Sequence, residues 1–156
     1  MFKNSEQRFL SITKWSLLAA SASLYTAAMP MNALLDPNGG TVRGIYLLAS
    51  GWAGLFMFQF AWLANPLYIV AFLAACVNYY RVAATCAVFA VLIACQGFGG
   101  FDPWHYFPSW KPTQLGNSFY VWLAALSILA FWTAIAYEIL SGRRRRSYPS
   151  RPEQQE

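Results

Sequence analysis

Residues 118–146 read SFYVWLAALSILAFWTAIAYEILSGRRRR. The run from Ser118 to Leu140 is almost uniformly apolar. About 20 helical residues cross ~30 Å of hydrocarbon, so this segment is long enough to span a bilayer. Arg143, Arg144, Arg145 and Arg146 follow two residues later. Short segments rich in Lys and Arg remain on the cytoplasmic side, so the quartet sets the direction of the last helix. Its expected partners are anionic lipid headgroups, at about 1 kcal/mol per base near the surface.

The rest of the chain agrees with a lipid environment. Of 156 residues, 58% are hydrophobic and only 11% are charged. A soluble domain carries about 25% charged residues to cover its surface. The formal charge of +5 sits at the ends: Lys3, Arg8 and Lys14 in front, the arginine quartet and Arg151 behind. Between Trp15 and Leu140 the only bases are Arg43, Arg81 and Lys111. Nucleic-acid binding needs bases and aromatics on one face, and here they are segregated. Cys76, Cys86 and Cys95 lie in apolar runs without a Cys-x-x-Cys pair, which argues against a disulfide framework or a zinc site. They are expected to be buried, inert thiols. A basic front followed by an apolar stretch and Ala27-Ala28 fits a cleaved leader only loosely, so the first segment is expected to be retained.

Five apolar segments can be read: 15–35, 44–64, 66–80, 82–96 and 118–140. The first ends at Asp36-Pro37-Asn38-Gly39-Gly40, and Asn65-Pro66 reads as an N-cap followed by proline in the first helical turn. The first, second and fifth are long enough to span. The third and fourth, at about 15 residues, reach only ~22 Å. Counting bases selects the topology. Four effective crossings put nine bases inside and leave Arg43 and Lys111 outside, as the positive-inside rule favours. Five crossings would put Lys3, Arg8 and Lys14 outside. The expected fold is therefore an all-α membrane bundle with both termini cytoplasmic and a break at Asn65-Pro66, in which 44–80 makes a net single crossing, either as a long helix kinked there or with one part re-entrant. Residues 1–14 form a cytoplasmic segment, 15–140 the bundle with an external loop at 97–117, and 141–156 a basic, disordered tail.

Small residues suggest how the helices pack. Ser16, Ala20, Ser23 and Ala27 share one face; Ser50 and Gly54, Ala83 to Ala94 at helical spacing, and Ala130 with Ala134 repeat the pattern. Membrane helices associate by close backbone approach, so these faces are expected to meet neighbouring helices or, in a homo-oligomer, another copy. Bulky Phe56, Phe58, Phe72, Phe89 and Phe131 then face lipid or fill wedges. Trp15, Trp62, Tyr79, Tyr80, Trp104, Trp110, Tyr120 and Trp122 lie near segment ends, where amphipathic rings prefer headgroup depth.

Candidate chemistry is sparse. The 97–117 loop carries the only histidine, His105, three residues after Asp102. Such a pair could orient an imidazole for acid–base work, but no nucleophile or third group accompanies it. Exposed aromatics make good anchors, so Trp104, His105, Tyr106 and Trp110 are the candidate partner-binding residues. Met29-Pro30-Met31 lacks the sulfur series that Cu(I) binding would use, and helix-end packing is the expected role. Gln59 and Asn78 are expected at depth, hydrogen-bonding between helices, while Glu138 is placed to snorkel or pair with Arg143. No carboxylate chain, no matched pair of broken helices and no glycine-rich filter within a span is present, which argues against a pump, transporter or channel. No catalytic residue, cofactor or metal site is assigned.

Gly51-Trp52-Ala53-Gly54, Trp62-Leu63-Ala64-Asn65-Pro66-Leu67 and Tyr80-Arg81-Val82-Ala83 together resemble a pattern in small uncharacterised bacterial multi-span membrane proteins. There a Gly-Trp helix leads to a Trp-x-Ala-Asn-Pro turn, an apolar hairpin and a basic turn. The resemblance covers residues 44–96 and implies a bacterial cytoplasmic (inner) membrane location without an activity. The expected role is binding of another membrane component, as an immunity protein against a membrane-inserting toxin or an accessory subunit of a complex. The alternative is a membrane enzyme or small-molecule carrier with its site near the 97–117 loop.

Overall fold

The computed structural model describes residues 2–35, 40–57, 60–98 and 114–147. The chain is mostly helical, as expected for an all-α fold. Helix α1 covers Phe2–Ala28, α2 Gly44–Ser50, α3 Ala64–Cys76, α4 Tyr80–Ala94 and α5 Asn117–Ser147. Three short strands, β1 (Asn32–Leu35), β2 (Thr41–Arg43) and β3 (Gln114–Leu115), are interposed.

Among the described residues, α1, α3, α4 and α5 run alternately up and down as a bundle. Helix α1 lies antiparallel to α5: Ser118 Oγ donates to Ala28 O and Ser21 Oγ to Ala125 O. It also runs antiparallel to α3, linked by Lys14 to Cys76 at one end and Tyr25 to Asn65 at the other. Helix α4 packs against both α3 and α5. Its stripe of Ala83, Ala87, Ala90 and Ala94 is buried, as its spacing predicts, against Ala64, Ala71, Ala75, Leu126 and Leu129. Methyl-sized side chains bring the backbones close, and that close approach supplies dispersion energy.

The α3–α4 turn is tight. Tyr79 N donates to Ala74 O and Asn78 N to Ala75 O, a paired closure with Asn78 at φ 64° in the left-handed position. Asparagine tolerates this backbone better than most residues. Asn78 is thus exposed in a turn and not at depth between helices.

Several boundaries differ from expectation. Helix α1 stops at Ala28, before Pro30, and residues 32–35 are extended instead of helical. They pair antiparallel with β2 (Leu34 opposite Val42) and with β3 (Leu34 opposite Leu115), so a three-stranded sheet in the order β2-β1-β3 caps one end of the bundle. Gly116 passes so close to the Asn32 carbonyl that a Cβ would collide with it.

The 44–64 segment is not one long helix. Helix α2 ends after seven residues and continues as 3₁₀ turns at Gly51–Met57 and Phe60–Leu63. The irregular stretch therefore lies before Asn65-Pro66, which sits in the first turn of α3, where proline has no intrahelical N–H to lose. This stretch begins at the Ala28 end of α1, where Gly44 N donates to Met31 O. It ends beside the C-terminus of α4, where Phe60 N donates to Gln96 Oε1. Both anchors are at the same end of the bundle, so Gly44–Tyr80 travels its length once, through α3.

With its 3₁₀ extension α4 reaches Phe98, longer than expected. Tyr80–Phe98 (19 residues) and Asn117–Gly142 (26 residues) are long and apolar enough to cross a membrane, and Phe60–Cys76 is a shorter apolar helix. In α1, Ser16, Ser21, Ser23 and Thr26 dilute the apolar character.

Two faces also turn out otherwise. Ser16, Ala20, Ser23 and Ala27 point outward from α1, whose buried line is Lys14, Leu18, Ser21 and Ala28. The inward line was hidden because it mixes a lysine with a serine. Cys95 is exposed, and Cys76 and Cys86 are only half-buried.

Candidate functional site

Three helices contribute polar side chains to the bundle interior. Asn65, 8% exposed, is the hub. Its Oδ1 accepts from Tyr25 Oη (2.9 Å) and from Trp122 Nε1 (3.0 Å), and its Nδ2 donates to Trp62 O (3.1 Å). One turn further along α3, Tyr68 lies 2.9 Å from Ser21 Oγ. Ser21 gives its one proton to Ala125 O (2.8 Å), so Tyr68 is the donor of that pair. The Tyr25 and Tyr68 rings stack in parallel, centroids 4.5 Å apart. The network joins α1, α3 and α5 with every bond satisfied.

A second polar contact sits near the α3–α4 turn. Lys14, 7% exposed, donates from Nζ to Cys76 O (2.8 Å) and Asn78 Oδ1 (2.9 Å), with the Trp15 ring centroid 4.7 Å away. The ammonium thus takes up a carbonyl at the C-terminal end of α3, where the helix dipole favours positive charge. Asn78 Oδ1 also accepts from Tyr80 Oη at 3.1 Å. Among the described side chains, Trp132 Nε1 is the buried polar atom without a partner.

The opposite end carries the stems of the external loop. The Phe98 ring meets Phe119 edge-on at 5.0 Å, and Phe119 meets Trp122 at 5.7 Å. A Cβ on Gly97 would lie 2.6 Å from the Phe119 ring, so glycine is what lets the first stem close on α5. The second stem is held by the β1–β3 pairing and by Gly116 N donating to Ala33 O at 2.9 Å. The loop is thereby tied to the hairpin and to the 3₁₀ stretch. Trp104, His105, Tyr106 and Trp110, like Asp102, lie outside the described residues. The backbone of Arg143 to Arg146 continues α5, and their side chains lie outside the described set as well.

Beside these stems runs an exposed apolar edge: Ile45, Tyr46, Trp52, Phe56 (81% exposed) and Phe60. Trp62 and Trp122, expected in interfacial belts, are instead partly buried and hydrogen-bonded, Trp62 Nε1 to Leu48 O at 2.8 Å. Trp15, Tyr79 and Tyr120 are exposed.

Sequence reasoning gave Lys14 only a place in the base count, Asn65 an N-cap role that falls instead to Leu63, and Trp122 a place in an interfacial belt, and it passed over Ser21, Tyr25 and Tyr68. Asn65 inside an apolar run, with Ser21 and Tyr25 one helical turn apart, was the available signal. No three His, Cys, Asp or Glu residues cluster to hold a metal among the described residues. Comparison with family models, with curated proteins and with solved structures returns no match to this chain.

Proposed function

We propose that this chain is a multi-pass protein of the bacterial cytoplasmic membrane, that α1, α3, α4 and α5 each cross the bilayer, and that both termini are cytoplasmic. It acts by binding another membrane component, as an immunity protein against a membrane-inserting toxin or an accessory subunit of a larger complex. The observation that carries the reading is the outward apolar surface of the antiparallel helices. Leu73, Val82, Val88, Phe89, Leu92, Phe131 and Ile135 are all exposed. Exposed apolar patches this continuous mark contact with membrane or protein. The internal network supports the same reading, because its hydrogen bonds hold helices together.

The 97–117 loop, on aromatic stems, is the proposed docking element, through Trp104, His105, Tyr106 and Trp110. The test is affinity capture of the full-length protein from membranes. Replacing Trp104 and Trp110 with alanine should cost at least tenfold in co-purified partner at unchanged protein level. If those variants are neutral while Asp102→Ala with His105→Ala abolishes the phenotype, the enzyme or carrier alternative replaces the binding reading.

A further inference from the structure

The Gly44–Leu63 stretch has no place among the crossings. It leaves from the Ala28–Ser118 end of the bundle and returns at the same end beside Gln96, after one seven-residue helix and two 3₁₀ turns. It carries no charged residue, and none appears until Arg81. Its side chains are at most half-buried: among its described residues none is fully buried, and Ile45, Tyr46, Trp52, Phe56 and Phe60 are exposed. Two such properties conflict in either bulk phase. Water does not favour an uncharged aromatic ridge of this size, and the hydrocarbon centre does not favour 3₁₀ backbone whose carbonyls need partners. Headgroup depth satisfies both, because rings with an apolar body and a polar edge prefer that layer and water still reaches the backbone.

We infer that the described residues 44–57 and 60–63 form a lipid-binding shelf lying in the plane of the outer leaflet, with Tyr46, Trp52, Phe56 and Phe60 seated at the boundary between headgroups and acyl chains. The inference rests on the spanning reading of α4. Lipid is favoured over a protein occupant by continuity of surface. Phe60 N is bonded to Gln96 Oε1, one turn above exposed Leu92 and two above exposed Phe89 on α4. The exposed face of α4 thus runs without interruption onto the shelf. Arg43, exposed, immediately precedes the shelf and is available to a lipid phosphate. The shelf anchors the end of the bundle that bears the external loop and fixes the depth at which the loop stems emerge.

Spin-label accessibility in vesicles tests this. The full-length protein, with Cys76→Ala, Cys86→Ala and Cys95→Ala, is reconstituted in phosphatidylcholine–phosphatidylglycerol vesicles and labelled singly at Tyr46→Cys, Phe56→Cys or Phe89→Cys. Collision with oxygen and with a water-soluble nickel chelate reports depth. The expected result is that positions 46 and 56 favour oxygen and lie within about 5–10 Å of the headgroup boundary, with position 89 several-fold deeper in its oxygen-to-nickel ratio. Should position 89 read as lipid while 46 and 56 read as freely aqueous, as deep as 89, or shielded from both reagents, the shelf is overturned and the spanning helix stands. Shielding from both would assign the ridge to a protein partner or a second copy. An aqueous reading at position 89 overturns the spanning reading and the shelf with it. Because Tyr46 and Phe56 are strongly exposed, a fold lost at one label leaves the other to decide.

Discussion

Asn65 joins three structural elements through one amide, and its replacement isolates the contribution of buried polarity. In Asn65→Leu, Tyr25 Oη and Trp122 Nε1 lose their acceptor and Trp62 O loses a donor. Hydrogen bonds between membrane helices average about 0.6 kcal/mol each, with more lost where donors are orphaned, so the expected destabilisation is about 1–3 kcal/mol. Unfolding of the purified protein in mixed micelles measures it, and a change near zero would mean that the network is incidental to stability. Lys14 makes the corresponding contact near the α3–α4 turn. Lys14→Met keeps the aliphatic stem and removes the ammonium from Cys76 O and Asn78 Oδ1. A loss of about 0.5–1.5 kcal/mol is expected, since the part-buried Cys76 carbonyl loses its charged donor while Asn78 Oδ1 keeps the Tyr80 hydroxyl. The same unfolding titration reads it, and Lys14→Arg tests whether charge alone suffices. Neither residue announces its role in the sequence. Lys14 counts there only as one more base before the first apolar run, because its partners lie 62 and 64 positions away.

Helices were legible where apolar residues recur without competition and illegible where local hydrogen bonding decides. The alanine stripe of α4 predicted its buried face because four small residues at helical spacing have no other use there. Introducing bulk tests that face. Ala87→Leu, at a position 1% exposed, should push α4 away from its neighbours and destabilise the bundle by about 1–3 kcal/mol, whereas Val88→Leu on the outward face should be neutral. Equal effects at both positions would contradict the packing. The stripe on α1 misled because Ser16, Ala20, Ser23 and Ala27 have the same spacing yet face outward, while the real contact line uses the hydroxyl of Ser21 and the stem of Lys14. Small size permits close approach but does not select a side. The hairpin of β1 and β2 was read as helix followed by turn because Asn32–Leu35 is too short to show alternation; pairing with Thr41–Arg43 settles it. The irregularity of 44–80 was legible from the base count but was placed at Asn65-Pro66 instead of at Gly51–Met57 and Phe60–Leu63, since an uncharged apolar run has the same composition as an α-helix or as 3₁₀ turns. The candidate residues of the external loop came from composition alone, and the stems that hold them, Gly97 against Phe119 and Gly116 against Asn32, depend on contacts that no local pattern encodes.

At the scale of the whole molecule, charge asymmetry and chain direction agree. The base count called for an even number of crossings; among the described residues α1, α3, α4 and α5 alternate in direction, two of these helices are long and apolar enough to cross a membrane, and the sheet and the 3₁₀ stretch gather at the end opposite the α3–α4 turn. On the proposed spanning reading, the positive-inside rule assigns Lys3, Arg8, Lys14, Arg81, the arginine quartet and Arg151 to the cytoplasmic side, and Arg43 and Lys111 to the other. On that proposal the loop stems and the shelf share the outer end of the bundle, where a membrane partner would be met. The most direct test is labelling of single cysteines by a membrane-impermeant maleimide in intact cells, in a background with the three native cysteines replaced. Ser5→Cys and Ser150→Cys should be protected until the membrane is permeabilised, while Thr41→Cys should react at once. Reaction of Ser5→Cys or Ser150→Cys from outside, or protection of Thr41→Cys, would contradict the four-crossing topology with both termini inside.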